Sequence, residues 1–474
     1  MEEILTPAQM ADADRLANNE TALIEAAGRA VARAIMRRFR PCRCLVLAGP
    51  GHNGADGRAA ARYLAHEGWP VTVLPLADAT VVAVARAALV VDAGFGAGLS
   101  RDLAPAVADL LKAARRIVAV DVPSGLDGAT GAIRGYAPQA DLTVTFFRRK
   151  PGHLLYPGRA LCGDVVLADI GLPDSVLAAI GAKTWRNGPW LWTLPRRAAT
   201  GHKYASGDVT VLSGTLGGAA RLACAAARRS GAGMVTLAAE TPMILPEAGL
   251  ILRADPLATL LADQRRGVWV CGPGLGVAPA GAKLAALIAA GKTVLADADA
   301  LTACAGAPEQ LRGVAVITPH AGEFARVFGP VGPDKLAAAR AAAAATGAVT
   351  VLKGADTIIA APDGRAAIND NAPPWLATGG TGDVLAGIIA AFLAQGMPPF
   401  EAAAAGVWVH GEAAREIGPG LIAEDLPDQI PTVLYRSASE GRSVPGSPET
   451  PPGSSSPLAR RARPVRPRRS SGPP

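Results

Sequence analysis

The chain has 474 residues, half of them apolar and 4% aromatic, with a formal charge of +7. That length exceeds one core and sets an expectation of two α/β domains, and the composition excludes fibrous and wholly disordered classes. The charge does not argue for nucleic acid: residues 436–474 hold eight Arg, no Lys and two Glu, so 8 − 2 = +6 lies in this tail and 7 − 6 = +1 in the rest.

Met1–Thr6 shows no basic region followed by an apolar run, so no secretory signal is expected and a cytoplasmic location is. A helical stretch is predicted from near Pro7 to Arg38. Six scattered cysteines without a Cys-x-x-Cys pair suggest neither a disulfide framework nor a zinc site. Cys44–Ala48 predicts a buried strand, Gly57–His66 a helix and Val71–Leu76 a strand. Leu89–Val91, Ile117–Val120 and Leu142–Phe146 are further strands, with a helix over Pro105–Ala114. Strands alternating with helices imply a doubly wound parallel sheet.

Three loops follow these strands. Gly49-Pro50-Gly51-His52-Asn53-Gly54-Ala55-Asp56-Gly57 sits where a βαβ unit holds phosphate, although its spacing is not the dinucleotide fingerprint. Val91-Asp92-Ala93-Gly94-Phe95-Gly96-Ala97-Gly98-Leu99 and Ala119-Val120-Asp121-Val122-Pro123-Ser124-Gly125 follow. Loops at the C-terminal strand ends share one crevice, so Asn53, Asp92, Asp121 and Ser124 are expected to converge. Such oxygen-rich groups can hold a hard cation, or one aspartate can move a proton.

These segments resemble the epimerase domain of the NAD(P)H-hydrate repair enzymes, over about residues 5–175. Leu5-Thr6-Pro7-Ala8-Gln9-Met10, Lys150-Pro151-Gly152-His153 and Gly163-Asp164-Val165 fit as well. The resemblance implies a Rossmann-like doubly wound domain over 1–180. It further implies that His52, Asn53, Gly54, Ala55 and Asp56, with Gly96, Ala97, Gly98 and Leu99, bind the hydrated nicotinamide nucleotide. Asp121 contacts the substrate and is the catalytic carboxylate. Asn53, Asp92 and Ser124 hold potassium (K+). His52 and Ala55 depart from the family's usual Asn and Gly.

Around Lys183–Ser206 the periodicity breaks, and a domain boundary is placed near residue 180. A second series opens with strand Asp208–Ser213 and helix Ala219–Arg229. Strands are predicted at Val235–Leu237, Val268–Cys271, Thr293–Asp297, Val314–Thr318, Thr350–Lys353 and Thr357–Ala360, and helices at Val384–Gln395 and Phe400–Ile417. Apolar runs such as Val384–Ala394 are too short for a bilayer, so no membrane partner is expected.

The most informative stretch is Ala377-Thr378-Gly379-Gly380-Thr381-Gly382-Asp383, a Gly-rich loop opening a helix. Such a loop aims several N–H groups and the helix dipole at one spot, a place for phosphate. Asp383 at its mouth suits a base that deprotonates an attacking hydroxyl. The plainer reading is a turn capped by Asp383. Cys271-Gly272-Pro273-Gly274, Asp297-Ala298-Asp299, Thr318-Pro319-His320-Ala321-Gly322-Glu323 and Lys353-Gly354-Ala355-Asp356-Thr357 lie at other strand ends.

That order resembles the ribokinase-like fold and, within it, the ADP- or ATP-dependent NAD(P)H-hydrate dehydratases, over about residues 198–418. The resemblance implies a ribokinase-like domain, here taken over 198–435. Lys353, Gly354, Ala355, Asp356 and Thr357, with Gly379, Gly380, Thr381 and Gly382, line the nucleotide site. Ala219, Gly274, His320 and Asp383 face the substrate, and Asp383 is the base. Magnesium (Mg2+) screens the phosphates. Tyr204 stands where the family has Gly in a His-Lys-Gly opening.

The expected activity is bifunctional: epimerisation of hydrated NADH and NADPH, and dehydration at the expense of ADP rather than ATP. A homo-oligomer is expected, with small molecules and no nucleic acid as partners, and a disordered Pro/Ser/Arg-rich tail over 436–474. The rivals are a vitamin-precursor kinase of the same fold, and a binding scaffold whose basic tail recruits RNA.

Overall fold

The computed structural model describes residues 2–17, 19–197, 199–240 and 247–440. Six strands form a wholly parallel sheet: β1 (Cys44–Ala48), β2 (Val71–Pro75), β3 (Leu89–Ala93), β4 (Ile117–Val120), β5 (Leu142–Phe146) and β6 (Asp164–Ala168), in the order β2-β1-β3-β4-β5-β6. Strands β1, β3, β4 and β5 are buried along their whole length, because helices cover both faces. The chain order reverses at β1, between β2 and β3. Loops leaving β1 and β3 therefore open into one crevice.

The helical stretch predicted as one is two, Pro7–Ala17 and Glu20–Arg38, because Asn19 caps the second through its side chain. Helix Glu20–Arg38 lies close against His52–His66, since a methyl on Gly28 would sit 2.3 Å from the Ala59 Cβ. That second helix begins five residues before the predicted Gly57. Gly54 allows the early start: any Cβ there would lie 1.9 Å from the Gly49 carbonyl oxygen.

Ten strands build the second sheet: β7 (Thr184–Arg186), β8 (Asp208–Ser213), β9 (Met234–Ala239), β10 (Ile251–Arg253), β11 (Val268–Cys271), β12 (Thr293–Ala296), β13 (Val316–Ile317), β14 (Val349–Leu352), β15 (Ile358–Ala360) and β16 (Ala366–Ile368). Their order is β10-β9-β8-β11-β12-β13-β14-β15-β16-β7, parallel except at β14-β15 and β15-β16. Helix Thr381–Ala394 is buried almost throughout and Pro399–Ile417 over most of its length, and both form the largest core with Gly217–Arg229.

The aperiodic stretch over Lys183–Ser206 is partly ordered into this second body. Strand β7 pairs with β16, and Trp192 is buried edge-on to Trp408, with ring centroids 5.6 Å apart. The N-terminal residues bridge the halves: the Ile4 N–H donates to the Thr184 carbonyl (2.9 Å) and the Leu5 N–H to the Arg149 carbonyl (3.0 Å). Ile4, Leu154 and Leu155 pack with Phe324, Leu336, Leu352 and Ile358 in a shared apolar cluster. A final helix, Leu426–Glu440, runs five residues into the segment expected to be disordered, and residues 441–474 lie outside the described residues. Among the described residues no helix is long and apolar enough to cross a membrane.

Candidate active sites

The crevice at the switch point holds the first set. Asp92 ends β3 and is fully buried. It accepts from the Ser124 hydroxyl (2.6 Å), the Ser124 N–H (2.8 Å) and the Gly94 N–H (3.2 Å). Burial raises its carboxyl above the usual range, although the Ser124 bonds oppose that. Among the described residues no Lys or Arg pairs with it. The Asn53 Nδ2 is buried without a partner, and turning the amide over would present its oxygen instead. Asp92 and Ser124 touch each other beside Gly94, and the Asn53 amide lies beside Gly96 of the same loop; carboxylate, hydroxyl and amide are donor types that suit a hard cation.

Asp121 follows β4 with φ of +67°, a strained value for Asp. Its Oδ2 accepts from the Ala97 N–H (2.9 Å), and its Oδ1 accepts from the Thr145 hydroxyl (3.0 Å) and lies 2.7 Å from Lys150 Nζ. Burial would raise its carboxyl, but the Lys150 ammonium outweighs it and holds it at about 2. His153 Nδ1 accepts from the Lys150 N–H (2.9 Å), so its Nε2 donates to the Asp121 carbonyl (2.8 Å), and burial and Lys150 push the ring down to about 4, leaving it neutral at pH 7. Gly96 lies beside Asp121 and Asn53: a Cβ there would be 3.1 Å from Asp121 Oδ2 and 3.5 Å from Asn53 Oδ1. Gly98 is open to solvent, and the Leu99 N–H closes a turn onto the Gly96 carbonyl.

Asn53, Gly54, Ala55 and Asp56 are helical residues in the first turns after β1 rather than loop residues. Burial, then Asp121 and Asp14, push Asp56 up to about 8. His52 turns outward, with its Nε2 2.9 Å from Glu20 Oε1. Lys150, Thr145 and His153 join the site beyond the residues expected from the sequence. A buried lysine in Lys150-Pro151-Gly152-His153 is the signal, since a buried ammonium requires a carboxylate.

The second set lies at the strand ends of the larger sheet. Helix Thr381–Ala394 begins three residues before the predicted Val384, so Thr381, Gly382 and Asp383 occupy its first turn. Gly380 precedes it with φ of +89°, which glycine alone adopts without strain. Lys353, after β14, is 2.8 Å from Asp297 Oδ1 and 3.8 Å from Glu323 Oε2. A Cβ on Gly382 would lie 3.4 Å from Lys353 Nζ. Burial opposes the lysine's charge, but Asp297 and Glu323 outweigh it and raise its pKa. For Asp383 burial is the leading cause, with Asp297 second, and together they push it up to about 6 despite Lys353.

His320 caps helix Ala321–Phe328: its Nδ1 accepts from the Gly322 (3.0 Å) and Glu323 (3.3 Å) N–H groups, and Glu323 Oε2 accepts from the His320 N–H (2.8 Å). Capping and a site role coexist, because the ring remains half exposed. Gly274 touches Leu216, whose carbonyl accepts from the Ala219 N–H (3.2 Å), so Gly274 and Ala219 adjoin. The Thr357 hydroxyl donates to the Gly354 carbonyl (2.8 Å). Asp356 differs from its neighbours: its carboxylate accepts from the Tyr156 N–H (2.8 Å) of the other half and from Lys335 Nζ (2.7 Å). His410, also not anticipated, is buried beside the Thr381 backbone and pushed down to about 4 by burial. Among the described residues no three His, Cys, Asp or Glu side chains form a metal cage. The carboxylates around Lys353 suit a divalent ion that arrives with nucleotide phosphates and keeps its waters.

A family model described as NAD(P)H-hydrate dehydratase matches residues 209–433, and one described as YjeF-related protein N-terminus matches 20–85 and 77–152. A relative from Moorella thermoacetica, a bifunctional NAD(P)H-hydrate repair enzyme, is 38% identical over 93% of this chain and 98% of its own. One of the same name from Escherichia coli is 36% identical over 81% of this chain and 83% of its own. A solved ribokinase-like superfamily protein from Enterococcus faecalis is 28% identical, covering 52% of this chain and 92% of that one, with a TM-score of 0.46.

Proposed function

Since this chain belongs to the bifunctional NAD(P)H-hydrate repair enzymes, with an epimerase and a dehydratase domain, we propose how its residues divide that work and that ADP is the phosphoryl donor. The observation that carries the reading is Asp383 in the first turn of Thr381–Ala394, beside Lys353 and shifted up to about 6.

Hydroxide is a poor leaving group, so the hydroxyl on the hydrated ring must first be activated. Asp383 removes its proton, and the oxygen attacks the terminal phosphorus of the donor. With ADP, the bond to AMP breaks. The ring nitrogen lone pair then expels phosphate, and loss of a neighbouring ring proton restores NAD(P)H. The N–H groups at Gly379–Gly382 stabilise the charge on the transferring phosphoryl group, and Lys353 with Thr357 anchors the nucleotide. Gly274, His320 and Ala219 face the ring. Asp297 and Glu323, beside Lys353, would hold Mg2+ with the nucleotide, and the ion would neutralise phosphate charge.

In the other half, Asp121 is the base of the epimerase, kept ionised by Lys150. Residues 52–56 and 96–99 hold the substrate. Asn53, Asp92 and Ser124 would hold K+, which supplies the counter-charge Asp92 lacks.

The testing experiment mixes chemically hydrated NADH with the protein, Mg2+ and either nucleotide, and follows absorbance of the reduced ring. Full recovery with ADP supports both activities and the donor. A stable phosphoester without restored NADH would instead mean a kinase. A base titrating at about 6 must be ionised, so dehydration kcat is expected to be flat above pH 7 and to fall about tenfold per unit well below 6. A profile flat to pH 5 removes Asp383 from that role.

A further inference from the structure

The segment 150–159 touches both candidate sites. At one end Lys150 and His153 bind Asp121. At the other, the Tyr156 N–H donates to Asp356 Oδ2 (2.8 Å), and Arg159 donates to the carbonyls of Asp370 (2.5 Å) and Ala355 (3.4 Å). Lys335 Nζ completes the cluster, donating to Asp356 Oδ2 (2.7 Å) and to the Tyr156 carbonyl (3.4 Å). The Asp356 carboxylate is therefore occupied by two donors in a buried setting, one of them from the epimerase half.

The loop so gripped, Lys353–Thr357, carries Lys353 at one end and the Thr357 hydroxyl at the other. Its remaining anchors are the Lys353 N–H on the Pro319 carbonyl (2.8 Å) and the Thr357 carbonyl, which accepts from the Asn369 N–H (2.8 Å). Both ends are thus set by the dehydratase sheet. The middle is held from both halves: Ala355 by Arg159, and Asp356 by Tyr156 together with Lys335 of the dehydratase half.

We propose that the epimerase half clamps the nucleotide loop of the dehydratase half, with Arg159 and Asp356 as positioning residues that preset the loop for the adenine nucleotide. This rests on assigning the nucleotide to Lys353–Thr357. Holding the loop in its bound shape removes an ordering cost from nucleotide binding, so its loss appears in affinity rather than in chemistry.

The test is Arg159→Ala in the full chain. Arg159 is only partly buried and serves neither reaction centre. The KM for ADP is expected to rise about fivefold, with the same factor in ADP affinity by calorimetry. Dehydration kcat and epimerisation should both stay within about twofold. Arg159→Lys should recover much of the affinity, because Lys still donates to the two carbonyls. Asp356→Asn should weaken ADP in the same direction through loss of the Lys335 pair. A merely structural contact would lower melting temperature and both activities together without changing the ADP KM, and that result overturns the clamp. An unchanged KM in an active Arg159→Ala enzyme overturns the clamp, and it overturns the clamp alone when Lys353→Ala raises the ADP KM in the same assay. Nucleotide-independent dehydration by the unaltered enzyme would remove the underlying assignment as well.

Discussion

Asp383→Asn is expected to lower dehydration kcat by about 10³-fold while leaving epimerisation intact. The amide keeps the shape and the place in the first turn of Thr381–Ala394, so the loop at Gly379–Gly382 should stand. What is lost is the proton acceptor. The substitution also deletes one negative charge from the group formed with Asp297, Glu323 and Asp299. Nucleotide phosphates are repelled by that group, so ADP should bind as well as before or more tightly. A kcat loss without a KM rise separates loss of the base from a damaged pocket. The measurement is dehydration of hydrated NADH under saturating nucleotide, with epimer interconversion followed by chromatography in the same sample. Dehydration within tenfold of the unaltered enzyme would sink the assignment.

Much of the fold was legible because central strands of a parallel sheet are buried on both faces. Cys44–Ala48, Ile117–Val120, Leu142–Phe146 and Val268–Cys271 read as apolar runs and are strands. The strands that did not announce themselves lie toward the sheet edges. Strands β7, β10 and β16 have three residues each, too few for a period to show, and β6 at the sheet edge has no buried residue. Helix starts were read late at both glycine-rich loops. Glycine weakens a helix by propensity, yet Gly54 sits in a first turn where the Gly49 carbonyl leaves no room for a larger residue, and Gly382 sits in the other first turn beside Lys353. Helix Leu426–Glu440 was missed because Pro431 stands inside it.

The candidate sites divide in the same way. Glycine-rich loops and acids at strand ends are local patterns, so Asp383 and Asp121 stood out. The partners that tune them are set by strand pairing. Val120↔Val144 places β4 beside β5, and only that register brings Thr145 and Lys150 to Asp121. Asp356 belongs to a nucleotide-loop motif by its neighbours, yet its side chain is engaged by Tyr156, 200 positions earlier.

Asp121→Asn is expected to abolish epimerisation and to make NADH recovery from an epimer mixture stop at one epimer's share. Interconversion balances by ring opening: a base takes the hydroxyl proton as the carbon–nitrogen bond breaks to an aldehyde, the ring nitrogen is protonated, and the reverse steps close the ring on the opposite face. An amide cannot take the hydroxyl proton. The dehydratase half is untouched, so the accepted epimer should still be repaired at the normal rate, and the rest only at the uncatalysed rate of interconversion. The same change removes the counter-ion of Lys150, whose side chain is 3% exposed. Breaking a buried pair from one side costs about 3–5 kcal/mol, softened here because Thr145 Oγ1 still accepts from Lys150 Nζ at 2.9 Å. The pH dependence separates this cost from a packing defect. Asp121 is held at about 2 in the folded protein against 3.8 unpaired, so its stabilisation is full above about pH 4 and lost as pH falls toward 2. Denaturant melts at pH 7 and pH 3 should therefore show a wide gap between enzyme and variant at 7 and a narrower one at 3. A gap equal at both pH values would mean that the ion pair is not its source, and full NADH recovery by the variant would remove Asp121 from catalysis.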